Sequence, residues 1–442
     1  MSNLLERYHQ PAPRYTSYPP IPNWGEDVGA EHLVSALNAS ARPLSIYVHI
    51  PFCEHLCLYC GCNVLITRDH TQAEPYLKHL VAEMDLLTSV HGREVTQVHW
   101  GGGSPTFLSP DQVRWLLEAI GGRFPISPKA EVSIEIDPRV TTLDHLRTIR
   151  RSGFNRLSIG IQDFDPAVQR AVNRVQPYEA TEKMFREARD LEFESINVDL
   201  IYGLPFQTPM SFQRTIDQVL SLDPDRIALF SYAHVPSLKR QQKALERHLP
   251  PDAEELALFK LSIRRFTQAG YDFIGMDHFA RSDDPLSVAR RERTLHRNFQ
   301  GYTTHADTDL LAFGISSISA VGDTFTQNHR DLLSYGRDIS EGNLPIFRGY
   351  VRTEDDRVRG TVVENILCNS ILVKAEIEDR FSIRFDEYFR DELQRLEEFA
   401  TDGLVTIAPD SITVENVGRI FIRTVAQVFD AFHIPTIASR VV

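Results

Sequence analysis

The residues best suited to chemistry are four cysteines within ten positions, Cys53, Cys57, Cys60 and Cys62, in the run CEHLCLYCGC. Disulfides between thiols this close in sequence would close only tiny loops and could not hold a fold together. Thiolates spaced by three and two residues can instead bind three irons of a [4Fe–4S] cluster, which leaves the fourth iron without a protein ligand. An open iron is a reactive site, like the open coordination position of a catalytic zinc. The spacing therefore predicts a catalytic iron–sulfur cluster.

Zinc is the alternative metal for this loop. A structural zinc site usually takes two separated Cys pairs, or Cys pairs with His pairs, and the second half of such a motif is missing here. His55 inside the loop is a weak additional zinc ligand, so the spacing favours iron–sulfur. The fifth cysteine, Cys368, lies in the apolar run NILCNSILV and is predicted to be an inert core thiol.

Length and composition limit the class of protein. A chain of 442 residues with 42% hydrophobic residues can form one large domain and a smaller one. The sequence shows neither an apolar signal core at its start nor a segment long enough to span a membrane, and free thiols indicate a reducing compartment. We therefore expect a cytoplasmic protein. A net charge of −13 without a long basic block argues against a nucleic-acid partner.

The elements that must position the cysteines form a repeating pattern, in which six apolar, β-branched runs alternate with amphipathic helices. The runs are Leu44–Ile50, Val95–Trp100, Val132–Ile136, Arg156–Ile161, Ile196–Ile201 and Ile227–Phe230, with Tyr271–Met276 as a candidate seventh. Near-continuous apolar runs are typical of parallel strands buried on both faces. Repeated strand–helix units predict an α/β fold, a partial or full (β/α) barrel, with an open doubly wound sheet as the alternative.

The pattern changes near residue 345, so we predict an N-terminal arm over 1–43, a barrel domain over 44–345 and a small α+β domain over 346–442. In the last region the sequence predicts helices over Glu364–Val373, Glu387–Ala400 and 417–432, and a hairpin around Pro409-Asp410. This region resembles a winged helix in outline. The acidic composition favours a packing or lid role over DNA binding.

Chemically unusual residues occur at the carboxyl ends of the predicted strands, where barrels bind their ligands. After the cysteine loop they are Gly101-Gly102-Gly103-Ser104-Pro105-Thr106, Glu135 and Asp137, Gln162-Asp163, Asp199 with Tyr202-Gly203, and Ser231-Tyr232-Ala233-His234. A glycine triplet forms tight turns and also lets backbone approach a ligand. A buried Glu135 needs a partner, which ribose hydroxyls would supply. Asp199 has the same interpretation, with an ion pair to Arg174 as the alternative.

Longer motifs resemble one family. The Cys53/Cys57/Cys60 triplet, with Tyr59 before the third cysteine, is similar to the Cys-x3-Cys-x2-Cys signature of the radical S-adenosylmethionine (SAM) superfamily. The wider sequence resembles the oxygen-independent coproporphyrinogen III oxidases in YVHIPFC, CGCN, HWGGGSPT, IEIDPR, LSIGIQDF, VDLIYGLP, FIGMDHFA and HRNFQGYTT. The resemblance runs from about Arg14 into the C-terminal region. The related haem-chaperone branch usually has no cysteine at the position of Cys62.

The resemblance implies an oxidoreductase of anaerobic haem biosynthesis. In this family SAM chelates the fourth iron and is reductively cleaved, and the 5′-deoxyadenosyl radical takes a hydrogen from a propionate. Loss of CO2 and one electron leaves a vinyl group, and two propionates react in turn, so that coproporphyrinogen III becomes protoporphyrinogen IX. The implied cofactors are one [4Fe–4S] cluster and two SAM molecules. The electron donor and acceptor stay unidentified, and we expect a monomer.

The resemblance also assigns residues. It implies that Cys53, Cys57 and Cys60 bind the cluster, and that the first SAM contacts Tyr47, Gly102, Glu135 and Ile318. For the second SAM it implies Tyr59, Gly103, Ser104, Gln162, Arg174, Asp199 and Ala233. The chain departs from the family pattern in Ser104, where threonine is usual, and in Tyr59, where phenylalanine is frequent. Cys62 is expected not to bind iron, and its role is open between substrate chemistry and a structural thiol.

The substrate of this family carries four carboxylates, which arginine grips in bidentate pairs. The basic residues that we predict as its partners are Arg14, His278, Arg281, His296 and Arg297. Ordinary structural roles are the alternative for each of them. Three other functions would use the same features: a radical SAM methyltransferase that modifies haem, a haem chaperone without catalysis, and a metal-dependent structural protein.

Overall fold

One large sheet contains most strands of this computed structural model, which describes residues 2–432; Met1 of the predicted arm and residues 433–442 of the predicted C-terminal domain lie outside the described residues. The strands, in chain order, are β1 Leu44–Ile50, β2 Phe52–Cys53, β3 Leu65–Ile66, β4 Val95–Gly102, β5 Ile126–Ile136, β6 Arg156–Gln162, β7 Ser195–Tyr202, β8 Arg226–Ser231, β9 Tyr271–Gly275, β10 His278–Arg281, β11 His296–Asn298, β12 Gly301–Thr303, β13 Asp309–Phe313, β14 Ile318–Val321, β15 Thr324–Asn328, β16 Ile346–Val351, β17 Ile371–Val373, β18 Val405–Ile407 and β19 Ser411–Val414.

The helices follow the strands in the expected alternation. They are α1 Ser2–Tyr8, α2 Ala30–Ala39, α3 Ala73–Asp85, α4 Pro110–Gly121, α5 Leu143–Ser152, α6 Pro166–Ala171, α7 Tyr178–Asp190, α8 Pro209–Leu222, α9 Asp252–Gln268, α10 Pro285–Glu292, α11 Leu332–Ser340, α12 Glu354–Asn369, α13 Lys374–Phe381, α14 Phe385–Tyr388, α15 Arg390–Thr401 and α16 Ile422–Gln427. The predicted capping box at α4 is present: Ser109 Oγ accepts from the Gln112 amide, and the Ser109 amide donates to Gln112 Oε1.

The sheet runs in the order β16-β15-β14-β13-β1-β4-β5-β6-β7-β8-β10-β9. From β13 to β8 every neighbouring pair is parallel. The strands beyond β13 and beyond β8 pair antiparallel. The parallel run curves around a cavity and does not close, so the fold is a partial barrel, and the expected barrel class is confirmed.

The seventh parallel strand is not the one that the sequence indicated. Tyr271 to Gly275 forms β9, which pairs antiparallel with β10 at one edge of the sheet. The seventh parallel strand is β13, which pairs with β1, although more than 250 residues separate the two in sequence. Because β13 follows a short ribbon rather than a helix, strand–helix alternation did not reveal it.

The two faces of the barrel strands differ in chemistry. Outward residues such as Val98, Ile134 and Ile159 are fully buried in the same apolar cluster as Leu116 and Ile149 of the surrounding helices. The residues that alternate with them are polar, as in the sequence Arg156, Ser158, Gly160, Gln162 along β6. The interior of the barrel is therefore a cavity that carries polar and charged side chains, surrounded by an apolar shell.

The C-terminal region is a small sheet with helices. Strands β17, β19 and β18 are antiparallel neighbours, and the predicted hairpin around Pro409-Asp410 is present as β18 and β19. The predicted helix over Glu364–Val373 is wrong at its end, because α12 stops at Asn369 and residues 371–373 form β17. Ser370 adopts the left-handed conformation (φ 55°) that ends the helix, and β-branched Ile371 and Val373 then pair with β19.

The N-terminal arm packs on this region. The Tyr8 ring lies 4.7 Å from the Phe399 ring, and the Tyr15 hydroxyl donates to Asp430. The division at residues 43 and 345 stays a prediction. Among residues 2–432, none of the helices combines the length and the apolar character that crossing a membrane requires.

Candidate functional site

A cavity of about 820 Å³ lies inside the partial barrel and reaches the carboxyl ends of its strands. Most site residues expected from the sequence line it. They are Arg14, Cys53, Cys57, Tyr59, Cys60, Cys62, Gly102, Gly103, Ser104, Glu135, Gln162, Arg174, Asp199, Ala233 and His278. Residues from all six predicted strand ends thus converge, as expected for ligands of a barrel.

The cysteine loop connects β2 to β3 at the mouth of the cavity. Its backbone is held on one side by the 172–173 turn, where the Leu58 amide donates to Val172 O (3.0 Å) and Asn173 Nδ2 donates to Leu56 O (2.8 Å). On the other side Gln241 Nε2 donates to Cys60 O (3.0 Å). The Cys60 amide also donates to Cys57 O, which closes a turn inside the loop. Anchors on both sides fix the thiols before any ligand binds.

The thiols lie in a positively charged environment. Arg139 Nη2 is 3.3 Å and Arg174 Nη1 is 3.7 Å from Cys57 Sγ. A hydrogen bond from Cys62, acting against burial, lowers the pKa of the Cys60 thiol to about 6, whereas burial raises the pKa of the Cys53 thiol to about 12. Metal ligation requires thiolates, and neighbouring cations stabilise them. The chemistry of the donor set therefore fits a thiolate-bound centre.

The arrangement bears on the choice between zinc and a cluster. Among the described residues, no three His, Cys, Asp or Glu side chains are grouped closely enough to bind one metal ion. A single zinc would need its ligands to converge within about 2.0–2.3 Å of one point. In a cubic cluster each thiolate binds its own iron, so the sulfurs stand further apart. A cluster therefore does not need the close grouping of ligands that one zinc ion needs.

Asp137 links these arginines. Arg139 Nη2 donates to Asp137 Oδ2 at 2.6 Å, and Arg174 Nη1 donates to the same atom at 3.1 Å. Burial alone would raise the pKa of Asp137, but the two guanidinium groups outweigh it and lower the pKa to about 2. Arg174 therefore pairs with Asp137 and not with Asp199, which removes the ion pair that we considered for Asp199.

The glycine triplet lets other groups approach the end of β4. Gly102 has φ +107°, and a Cβ placed on it would lie 2.5 Å from the His49 ring. A Cβ on Gly103 would lie 2.7 Å from the backbone of Pro51. Any side chain at these positions would displace β1 and the start of the cysteine loop, so the turn requires glycine. The exposed backbone of the turn faces the cavity.

Glu135 and Asp199 are two of the four carboxylates of the described residues that line the cavity, beside Glu131 and Asp137. Glu135 Oε1 is 3.5 Å from His99 Nε2, and the His99 ring in turn stacks on Tyr47 at 5.9 Å. Asp199 accepts hydrogen bonds from Asn197 Nδ2 (2.8 Å) and Ser158 Oγ (3.2 Å). Burial, followed by repulsion from Glu135, raises the pKa of Asp199 to about 7. Both carboxylates could accept hydrogen bonds from hydroxyl groups of a ligand.

Some predicted residues lie apart from the cavity wall. Tyr47 hydrogen-bonds through its hydroxyl to His49 Nδ1 (3.2 Å), and Ile318 begins β14 opposite Gln327. Neither is part of the cavity lining, although Tyr47 lies beside His99, which is. Asp163, at the end of β6, is turned away from the cavity and binds Gln207 Nε2 at 2.6 Å.

The five basic candidates for substrate binding separate into two groups. Arg14 Nη1 donates to Asp277 Oδ2 (2.7 Å), His278 Nδ1 lies 2.6 Å from Asp277 Oδ1, and both basic side chains line the cavity. The other three are engaged elsewhere: Arg281 with Asp223, His296 with Glu364, and Arg297 over the Tyr302 ring. Arg281, His296 and Arg297 do not line the cavity, although the Tyr302 ring that Arg297 covers does.

Sequence reasoning missed the deeper layers of the cavity. Gln97, Glu131, Ser133, Arg156, Ser158, Asn197 and Arg226 line it below the predicted site. The signal that could have found them is the alternation of polar residues with period two inside the apolar runs. The residues that hold the cysteine loop from 239–242 carry no comparable signal, because they act through backbone carbonyls.

The chain is similar to known proteins over nearly its whole length. Residues 47–219 match the family model described as the Radical SAM superfamily. The chain is 45% identical over 432 residues to the oxygen-independent coproporphyrinogen III oxidase of Escherichia coli (strain K12), covering 97% of this chain and 94% of the relative. It is 42% identical over 441 residues to the enzyme of that name from Synechocystis sp., covering 98% and 95%.

A solved structure is similar over nearly the same range. It is that of coproporphyrinogen III oxidase (HemN) from Escherichia coli, a radical SAM enzyme, which matches with a TM-score of 0.93 and 44% identity, covering 95% of this chain and 98% of that one.

Proposed function

The chain belongs to the oxygen-independent coproporphyrinogen III oxidase family of the radical SAM superfamily, and from this membership we propose how its residues divide the work of that enzyme. It is an oxidoreductase of haem biosynthesis whose substrate is coproporphyrinogen III. The reaction converts two propionates to vinyl groups and gives protoporphyrinogen IX. The observation that carries the proposal is the convergence of three cysteines, a glycine turn and two carboxylates on one cavity.

We assign the [4Fe–4S] cluster to Cys53, Cys57 and Cys60. When bound and reduced, the cluster and SAM supply the radical that removes a hydrogen atom from a propionate. Arg139 and Arg174 stay beside Cys57 and offset the negative charge of the thiolates. Asp137, ionised over the whole physiological range, keeps both guanidinium groups in place.

The first SAM would bind where the glycine turn meets Glu135. Gly102 leaves room for the ligand's carboxylate and amine, and Glu135 is placed to accept from ribose hydroxyls. Tyr47 and Ile318 would complete this site. Tyr47 acts from beside the cavity lining, through His99 and His49, which it stacks on and hydrogen-bonds.

The second SAM would use further residues of the same cavity. Its proposed partners are Tyr59, Gly103, Ser104, Gln162, Arg174, Asp199 and Ala233, all of which line the cavity. Asp199 is held toward the cavity by Asn197 and Ser158. Ser104 keeps the hydroxyl of the threonine that is usual in the family, so that departure preserves a hydrogen-bonding group.

The substrate carboxylates need cations on the cavity wall. Arg14 lies on the N-terminal arm, lines the cavity and sits over the Phe230 ring (5.8 Å). We propose that Arg14 and His278 bind a propionate, with Asp277 orienting both of them. We also propose Cys62, which lines the cavity beside Cys60, as a catalytic residue near the substrate.

The cellular setting belongs to the same proposal. We propose a cytoplasmic monomer that receives electrons from a separate donor and passes the electrons of the decarboxylation to a separate acceptor. Neither a nucleic-acid partner nor a membrane anchor is needed for the reaction.

The test is an anaerobic assay of the iron-reconstituted protein with coproporphyrinogen III, SAM, a reductant and cell extract as electron acceptor. We expect protoporphyrinogen IX and 5′-deoxyadenosine together, and neither from a Cys57→Ala control. SAM cleavage without decarboxylation would mean a different substrate, such as haem in a methyltransferase. Tight haem binding with neither product would replace the proposal with a haem chaperone.

A further inference from the structure

A cationic surface lies next to the cysteine loop in an otherwise acidic protein. Residues 239–248, which we call the basic segment, carry four cations (Lys239, Arg240, Lys243 and Arg247) against the single carboxylate of Glu246, whereas the whole chain has a net charge of −13. Arg240, Lys243 and Arg247 are exposed. None of these three forms an ion pair with another residue of the described range 2–432. Their charges are therefore available to an external partner.

The basic segment is hydrogen-bonded directly to the loop that would hold the cluster. Lys239 Nζ donates to Cys62 O at 2.5 Å, and Gln241 Nε2 donates to Cys60 O at 3.0 Å. Gln242, which is fully buried, donates to Tyr59 O at 2.9 Å. A partner that contacts the exposed side of the segment would thus be one residue away from two of the cysteines. The anchoring also keeps the cationic surface in a fixed position.

Apolar groups border the same surface. The Leu238 side chain is 63% exposed, and Phe206 is 46% exposed. The Phe206 ring stacks on His248 at 4.5 Å between centroids, and the Phe206 amide donates to His248 O. Protein interfaces combine exposed aromatic and aliphatic groups with arginine in this way, whereas ordinary surface contains such apolar groups singly.

We propose that the basic segment, with Leu238 and Phe206, is the docking surface for an acidic protein that donates single electrons from a flavin or iron–sulfur centre. This inference rests on the proposed cluster. In each transfer the donor loses one electron and the cluster gains one, and no bond or proton moves. The cations select an acidic partner by charge complementarity and speed its association. The competing occupant is a second copy of this acidic chain.

The experiment compares two charge-matched variants of the iron-reconstituted enzyme. The first is Arg240→Glu/Lys243→Glu/Arg247→Glu. The control is Lys129→Glu/Lys183→Glu/Arg384→Glu, which changes three exposed cations elsewhere by the same charge. The probe is a photoreduced bacterial flavodoxin, a small acidic one-electron donor. The readouts are the dissociation constant at two salt concentrations, the rate at which flavodoxin bleaches the cluster, and the bleaching rate with dithionite, which needs no docking.

At low salt we expect the basic-segment variant to bind flavodoxin about 10–100-fold more weakly than the parent, and flavodoxin to reduce its cluster about 10–100-fold more slowly. Both differences should shrink as the salt concentration rises. The control variant should stay within about twofold of the parent, and all three proteins should react equally with dithionite. Equal losses in both variants would overturn the proposal. The proposal would also be overturned if the parent self-associates and the basic-segment variant alone does not, because the surface would then bind a second copy of the chain. Dithionite-driven decarboxylation, measured for the parent and for the basic-segment variant, separates this inference from the proposed function, since its failure in the parent would refute the function instead.

Discussion

The outward and inward faces of the barrel strands have the same backbone but opposite chemistry. On β5 and β7 the outward residues Ile134 and Val198 are fully buried and apolar, while Glu135 and Asp199, one position further along, are carboxylates that line a cavity. The outward face stabilises the fold by excluding water. The inward face leaves space and unsatisfied charge, which a ligand must fill. Stability and chemistry are therefore assigned to alternate residues of the same strands, and they should respond separately to mutation.

The largest effect should come from the outward face. Phe154 is fully buried before β6 and meets Trp100 edge to face, with ring centroids 5.2 Å apart. We expect Phe154→Ala to lower the free energy of unfolding by about 3–5 kcal/mol because it leaves a cavity in the shell. Ser133→Ala, on the inward face, should change it by less than about 1 kcal/mol. Chemical denaturation followed by circular dichroism measures both, and equal losses would contradict the separation of faces.

Turnover, unlike stability, should not depend on the outward face. Phe154→Ala protein assayed well below its unfolding temperature should retain the turnover of the parent per folded molecule, since Phe154 does not line the cavity. A loss of turnover without unfolding would mean that the shell also positions the site.

Glu83 is a polar exception within the shell, on α3. Its carboxylate accepts from the Gly314 amide (2.9 Å), Asn328 Nδ2 (2.6 Å) and the Tyr335 hydroxyl (2.6 Å). Burial, opposed by these donors, raises its pKa to about 7 from 4.5. We expect Glu83→Ala to destabilise the protein by about 2–4 kcal/mol, because three buried donors lose their acceptor.

The stability that Glu83 contributes depends on pH. The folded-state pKa is raised, so the contribution of Glu83 is greatest below about pH 4.5 and declines as the pH rises through about 7. The loss caused by Glu83→Ala should thus be larger at pH 6 than at pH 8. Urea unfolding of both proteins at the two pH values tests it, and an equal loss at pH 6 and pH 8 would show that Glu83 is ionised throughout that range.

On the inward face, removing a charge should stabilise the protein. The pKa of Asp199 is raised to about 7 from 3.8 by burial and by Glu135, so ionised Asp199 weakens the fold above that pH and not below pH 4. We expect Asp199→Asn to add about 1–2 kcal/mol at pH 8 and almost nothing at pH 4, measured without SAM. The same variant should lose most of its SAM affinity and its activity. A variant that is less stable at pH 8 but fully active would reverse the assignment of this face.

The parts of the fold and of the site that could be predicted from the sequence are those that local patterns determine. The cysteine spacing and the apolar runs gave the site loop and six strands, because both are local patterns. Strand β13 was missed because its pairing with β1 is a contact between distant segments, which no local pattern encodes. Arg281 was misplaced for a related reason: it lies only three residues after His278, yet it binds Asp223 outside the cavity while His278 faces inward. Side-chain direction depends on register, and one strand residue reverses it.

That difference between Arg14 and Arg281 supplies the smallest test. Both are arginines paired with an aspartate, but only Arg14 lines the cavity. We expect Arg14→Ala to raise the dissociation constant of coproporphyrinogen III about tenfold, equivalent to about 1.4 kcal/mol, since one charge-assisted carboxylate contact is lost. Arg281→Ala should leave that constant unchanged. The visible spectrum of the reconstituted cluster should be the same in both variants, because neither residue contacts the cysteine loop. An unchanged constant for Arg14→Ala would move the propionate contact to the deeper cations of the cavity, Arg156 and Arg226, and would make the floor of the barrel rather than its rim the place where the substrate is held.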